Sequence, residues 1–268
     1  MFWHHRDPNS SPMTRLLRRL TGAHQFLAAH MFYPLLLCTV VAGGFFVVRV
    51  ALRGEIGFAF LVKNLFLAWV PYFFGLAAVW LHEHRPRARI RIAATWGAWL
   101  AMFPNAPYIF TDLIHWRYRR EMPWWFDLGL CLMFSLAGFV LALASLRIMH
   151  ELVRRRVGLV GGWIFVVVVV FLSGFGIFLG RFLRWNSWDL LTHPHVILGQ
   201  TLRGLLDPLA HTQAIGVTLM FGTMLLAVYV MFASAGSDPY PATAKDAVDH
   251  SAGPNWQRSP VRASSRLP

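Results

Sequence analysis

Charge is scarce in this chain, and acid is scarcer than base. Only 14% of its 268 residues are charged, where a soluble domain carries about 25%. A single water-soluble core of this size could not hide an apolar content of 56%. Much of that surface must therefore face lipid. Lysine is nearly absent, since Lys63 and Lys245 stand alone among 25 basic residues. Cysteine is limited to Cys38 and Cys131, each inside an apolar run. That excludes a disulfide framework and a cysteine-ligated metal centre, and leaves both as small buried hydrophobes. Phosphate-cradling glycine loops, HExxH runs and nucleophile elbows are also missing.

Long apolar runs are present instead. The clearest lies between Arg156 and Arg181, with 24 uncharged residues, or about 36 Å of helix against a hydrocarbon core of about 30 Å. Six such runs occur, at 31–49, 58–81, 91–110, 126–147, 158–180 and 213–233. The expected fold is all-α: a polytopic membrane bundle of six helices over 31–233. A basic segment, 1–30, precedes it, and a polar tail, 234–268, follows it. The tail is rich in Ser, Pro, Ala and Asp without apolar period and is expected to be disordered, as are the first dozen residues. The run at 31–48 is longer than a signal-peptide core and reads as a retained anchor.

The net charge of +13 follows the spans, so topology explains it better than nucleic-acid binding does. With the N-terminus inside, 16 basic residues fall on the cytoplasmic side and nine on the other. Tight arginine clusters occupy the connections 82–91 and 147–157. Both termini are accordingly expected in the cytoplasm. Trp124, Trp125, Trp185 and Trp188 read as headgroup-level anchors. Asp127 reads as a carboxylate suited to a helix N-terminus.

The polar residues able to do chemistry gather at the outer ends of spans three and five. Pro104-Asn105-Ala106-Pro107 breaks the third span about two-thirds of the way across. Irregular backbone at that depth must be buried in protein or line a wet cavity, and Asn105 can satisfy a freed carbonyl. Asp112 and His115 follow, expected near the outer headgroups. In the fifth span Gly176 and Gly180 are spaced for close helix approach, here to the third span. Beyond them come Arg181, Arg184, Asn186, Asp189 and His193.

Arginine forks suit phosphate or carboxylate. Asn105, Asp112, His115, Arg181, Arg184, Asn186, Asp189 and His193 thus form a candidate site for an anionic lipid headgroup or small anion, with Asp112 and Asp189 holding the arginines. The plainer reading is an ion-pair network that only closes the helix ends. Asp112, His115, Asp189 and His193 could suit a divalent metal by type. Their spacing matches no metal motif and nearby arginines oppose a cation, so no metal or cofactor is expected. The same residues are also compatible with a secondary transporter working through the broken third span, with a membrane-embedded enzyme in which an aspartate orients His115 or His193, and with a structural or assembly subunit. No catalytic residue can be named, and membrane lipid is the expected partner.

Four stretches resemble the domain-of-unknown-function 1361 family of bacterial membrane proteins. They are Phe66-Leu67-Ala68-Trp69-Val70-Pro71-Tyr72, the run from Phe103 to Tyr108 with Thr111 to His115, Trp125-Phe126-Asp127, and Gly180-Arg181-Phe182-Leu183-Arg184-Trp185-Asn186-Ser187-Trp188-Asp189. The likeness spans roughly 35–235. It implies an integral protein of the bacterial inner membrane and brings no activity with it.

Overall fold

The computed structural model describes residues 12–54, 56–115, 123–185 and 212–235. Among these every regular element is helical. The chain divides into two compact units, 1–230 and 231–268. Of the second, only the last residues of a helix, 231–235, are described. The first unit holds α1 (Pro12–Ala29), α2 (Phe32–Arg53), α3 (Ala59–His84), α4 (Arg89–Met102), the single turn α5 (Asn105–Tyr108), a 3-10 segment (Ile109–His115) and α6 (Trp124–Arg181). The last helix, α7 (Thr212–Ala235), begins in this unit. Four helices, α2, α3, α6 and α7, are long and apolar enough to cross a membrane.

α6 has 58 residues but is not one rod. Gly158 has φ 79° and ψ −177°, a region essentially reserved for glycine. The chain folds back there. The rings of His150 and Trp163 lie 5.0 Å apart, whereas a straight helix would separate their Cα atoms by about 20 Å. The result is a helical hairpin with arms 124–157 and 159–181, whose turn carries the arginine cluster 154–156.

α3 is the central element and packs against α4 and the hairpin. Pro71 sits within it without ending it, as membrane helices tolerate. The core mixes leucine with aromatic and small residues: Leu61, Leu141, Tyr72, Trp99, Phe103, Phe134, Ala68 and Ala142 are all buried. Trp99 Nε1 donates to Ser145 Oγ at 2.9 Å, fixing α4 to the first arm. Cys131 is buried and Cys38 half-buried, both as free thiols.

The third apolar run departs from the expected single helix over 91–110. α4 stops at Met102. Pro104 and Pro107 lack N–H groups, so the ladder cannot continue. Ala106 N–H donates to Phe103 O instead, and Asn105 Nδ2 caps the carbonyl of Met102 at 3.1 Å. The break is filled with protein. Ala106, Pro107 and Ile109 are buried, and the second arm supplies the groove. A Cβ on Gly176 would stand 2.7 Å from Pro104 Cγ, and one on Gly180 would stand 3.2 Å from the Tyr108 ring. The glycine face thus receives the broken helix, as its spacing predicts.

Of the segments expected to be disordered, the first dozen residues and 234–268, Pro12 instead opens α1 and Ser234 and Ala235 end α7; the rest, like the turn expected at Asp207-Pro208, lie outside the described residues. α1 has no counterpart among the six expected spans.

Two substitutions test this framework. Gly158→Ala should lower the unfolding free energy by about 1–3 kcal/mol, because alanine strains in that backbone region. Gly176→Leu should cost about 1–3 kcal/mol through collision with Pro104. Thermal unfolding in mild detergent measures both. Wild-type melting temperatures for these variants would contradict the hairpin turn and the α5 groove, respectively.

Candidate functional site

At the end of the bundle where α2 finishes and α3 begins, two buried aspartates are each paired with an arginine, Arg49 buried and Arg181 partly so. The first pair lies inside the candidate site. The 3-10 segment turns the chain back into the bundle, so Asp112 does not emerge at the surface as expected. Its side chain is 1% exposed. One carboxylate oxygen accepts from Arg181 Nη2 at 2.6 Å, and the other accepts from Asn64 Nδ2 at 2.6 Å. Arg181 also donates through Nε and Nη2 to Thr111 Oγ1, at 3.0 and 2.6 Å. The Thr111 hydroxyl donates in turn to Tyr108 O. The Tyr108 ring stacks on the guanidinium, 4.8 Å from its carbon. Four elements meet in these contacts: the start of α3, α5, the 3-10 segment and the end of α6.

Such saturation has a physical cause. A carboxylate taken out of water is tolerated only with a countercharge and donors on both oxygens. Asp112 has both. Arg181 is thereby neutralised within the protein, so the floor of the candidate site carries no spare positive charge.

The second pair is not foreseen from the sequence. Arg49 Nε donates to Asp127 Oδ1 at 2.8 Å, with Nη2 3.5 Å from Oδ2. Both side chains are almost fully buried, at 1% and 3% exposure. Phe58 lies under the guanidinium at 4.5 Å. Asp127 sits in the first turn of α6 as expected, but it serves as the partner of an arginine 78 residues away rather than as a solvent-facing terminal charge. A signal was available: each residue is ionisable within an otherwise apolar stretch, and such a residue needs a named partner.

The structure gathers only part of the expected constellation. Asp112 and Arg181 meet. Asn105 stands one short helix away and is engaged with Met102. Arg184 is exposed on the left-handed turn after α6, with φ 58°. Trp185 N–H donates to Leu179 O and secures that turn. For His115 only the main chain is described, closing the 3-10 segment. Asn186, Asp189 and His193, with Trp188, lie outside the described residues. Asn64 and Thr111 are the added members. Neither could be recognised in advance, because a lone amide or hydroxyl in a span is ordinarily just a packed polar residue.

The opposite end of the bundle carries its own polar set. Asn64 and His82 are 18 residues apart on α3, about 27 Å along the axis. There His150 Nδ1 lies 2.7 Å from Tyr229 Oη, and its Nε2 is buried without a hydrogen-bond partner. Two clefts of about 650 and about 430 Å³ open at this end. The larger is lined by His30, His82, Glu83, Arg147, Glu151 and Arg155, among others. Glu151 already pairs with Arg154 and Arg155, each at 2.8 Å.

The Asp112–Arg181 network and the broken helix lie within residues 63–228, which match the family model described as "Protein of unknown function (DUF1361)". The chain belongs to the DUF1361 family. No curated protein and no solved structure matches it. Membership agrees with the resemblance carried by the Pro-Asn-Ala-Pro and Gly-Arg-Phe-Leu-Arg-Trp runs, and with a membrane protein of uncharacterised activity. Asn64, Asp112, Asp127 and Arg181 all fall inside the DUF1361 match, whereas Arg49 precedes it.

Removing one member of a buried pair strands the other. Asp127→Ala should destabilise the protein by about 3–5 kcal/mol, while Arg49→Met with Asp127→Leu should lie much nearer wild type. At the other pair, Asp112→Ala and Arg181→Ala should be non-additive by about 0.5–3 kcal/mol. Equilibrium unfolding in detergent of the Arg49 and Asp127 variants, and of the four-member Asp112/Arg181 cycle, measures these quantities. Strict additivity would show that the Asp112–Arg181 contact carries no energy.

Proposed function

We propose that this DUF1361 protein is a multi-pass protein of the bacterial inner membrane, with both termini in the cytoplasm. In this reading its outer face holds an anionic headgroup or small anion. Arg181 and Asp112 form the neutral floor, and Arg184 is the cation that meets the ligand. Asn186, Asp189 and His193, which follow Arg184 closely in sequence, supply hydrogen bonds around it. The observation that carries this division of labour is the contrast between Arg181, saturated by Asp112 and Thr111, and Arg184, exposed three residues later. The arginine excess on one side supports the orientation.

A structural or assembly role is the second reading. It is favoured by the closure of the Asp112 network, in which both carboxylate oxygens are occupied by protein. The transporter reading has less support, because Pro104 fills the Gly176 groove and Asn105 satisfies its own helix end. The enzyme reading needs an aspartate to orient a histidine and finds no such pair among the described histidine side chains. His30, His82 and His84 bond to main-chain carbonyls, and His24 and His150 to tyrosines.

Full-length wild type, Arg184→Ala and Arg181→Ala should separate the two leading readings. Native mass spectrometry after purification in mild detergent counts retained phospholipid, and thermal unfolding reports stability. Arg184→Ala should keep its melting temperature and lose anionic lipid, while Arg181→Ala should lose stability. Full lipid retention by a folded Arg184→Ala protein would reject the binding role and leave the structural one.

A further inference from the structure

We infer that α1 lies flat on the bilayer, its leucine face among acyl chains and its arginine side against anionic headgroups. At 100° per residue, Met13, Leu16, Leu17, Leu20 and Leu27 fall within a sector of about 100°. Positions 15, 18 and 19, all arginine, fall on the other side of the helix. The apolar side is uncovered: Met13, Leu16, Leu17 and Leu20 are each more than half exposed. Of the other helices, α1 packs chiefly against α2.

The occupant follows from where α1 is attached. α2 is a 22-residue apolar helix, about 33 Å long and so about as long as the hydrocarbon layer is thick. Only His30 and Met31 separate α1 from it, and Met31 turns the chain in the left-handed conformation. The elbow is braced from both sides. His24 of α1 bonds Tyr33 of α2, and Tyr72 Oη of α3 donates to the carbonyl of His30 at 3.0 Å. α1 is thus held at the level where a membrane-spanning helix enters the headgroups. An apolar face backed by arginines is matched by the acyl and phosphate layers of an anionic leaflet. A second copy of α1 would bring its own arginines against these and is disfavoured by like charge.

The test uses the full-length protein with Cys38→Ala and Cys131→Ala, carrying one new cysteine at Leu17 or Gln25. Both positions are exposed, so neither substitution disturbs packing. Each is labelled with a small fluorophore and reconstituted in vesicles of phosphatidylglycerol and phosphatidylcholine, or of phosphatidylcholine alone. Brominated acyl chains should quench the Leu17→Cys label at least about twofold more than the Gln25→Cys label, with the order reversed for aqueous iodide. Arg15→Gln/Arg18→Gln/Arg19→Gln should weaken acyl quenching in the phosphatidylglycerol vesicles. Equal iodide access at both positions would place α1 in water and overturn the inference. A Leu17→Cys label shielded from both quenchers would show that protein covers the face, either another copy or residues 1–11 or 236–268 of this chain, and would overturn it equally. Quenching indifferent to phosphatidylglycerol and to the three arginines would overturn the anionic-headgroup contact.

Discussion

Two carboxylates buried at one end of an apolar bundle set the terms for the rest of this structure. Asp112 and Asp127 are each too deep to be solvated and must be neutralised where they lie. Their partners come from far away in sequence. Arg49 reaches Asp127 across 78 residues, and Arg181 reaches Asp112 across 69. Each pair therefore pins a long-range arrangement. One ties the end of α2 to the start of the hairpin, and the other ties the end of the hairpin to the 3-10 segment and α3. An apolar contact could be satisfied in many registers, while a buried ion pair with saturated oxygens is satisfied in very few.

The broken helix is the structural counterpart of this demand. A continuous α4 would carry Thr111 and Asp112 onward along its axis. The two prolines stop it at Met102, and the chain instead turns inward through α5 and the 3-10 segment. Small residues on the hairpin make room: Gly138 faces Ile109 and Ala106, Gly176 faces Pro104, and Gly180 faces Tyr108. The glycine face therefore also serves the electrostatics, since it lets the irregular backbone approach closely enough for Asp112 to meet Arg181. The functional reading depends on the same geometry. With Arg181 consumed internally, a ligand would have to be met by groups further along the chain, beginning at Arg184.

Much of this is legible in the sequence. Apolar run length and low charge specify a helical membrane protein, because backbone polar groups in lipid must be satisfied within the helix. The proline pair marks the break, and the glycine spacing marks the surface that receives it. Asn105, Asp112 and Arg181 are recognisable because polar residues at membrane depth are costly and rarely idle. Arg49 and Asp127 escape a sequence reading for a definite reason. Each lies near the end of its apolar run, where snorkelling or a helix-terminal role would solvate it equally well. α1 escapes it because its leucines are too few for a span and its arginines resemble a topological flank.

The sequence by itself determined the class, the family and the chemical inventory, since these depend on composition and on spacing along one chain. Only the tertiary structure decided which charges cancel. Pairing is a property of distance in space, and for Arg49 with Asp127 and Arg181 with Asp112 that distance is set by how the α6 hairpin folds back and how α5 leaves the axis of α4. A one-dimensional pattern records that an arginine is present; the surrounding low-dielectric packing determines whether its charge remains available to a ligand.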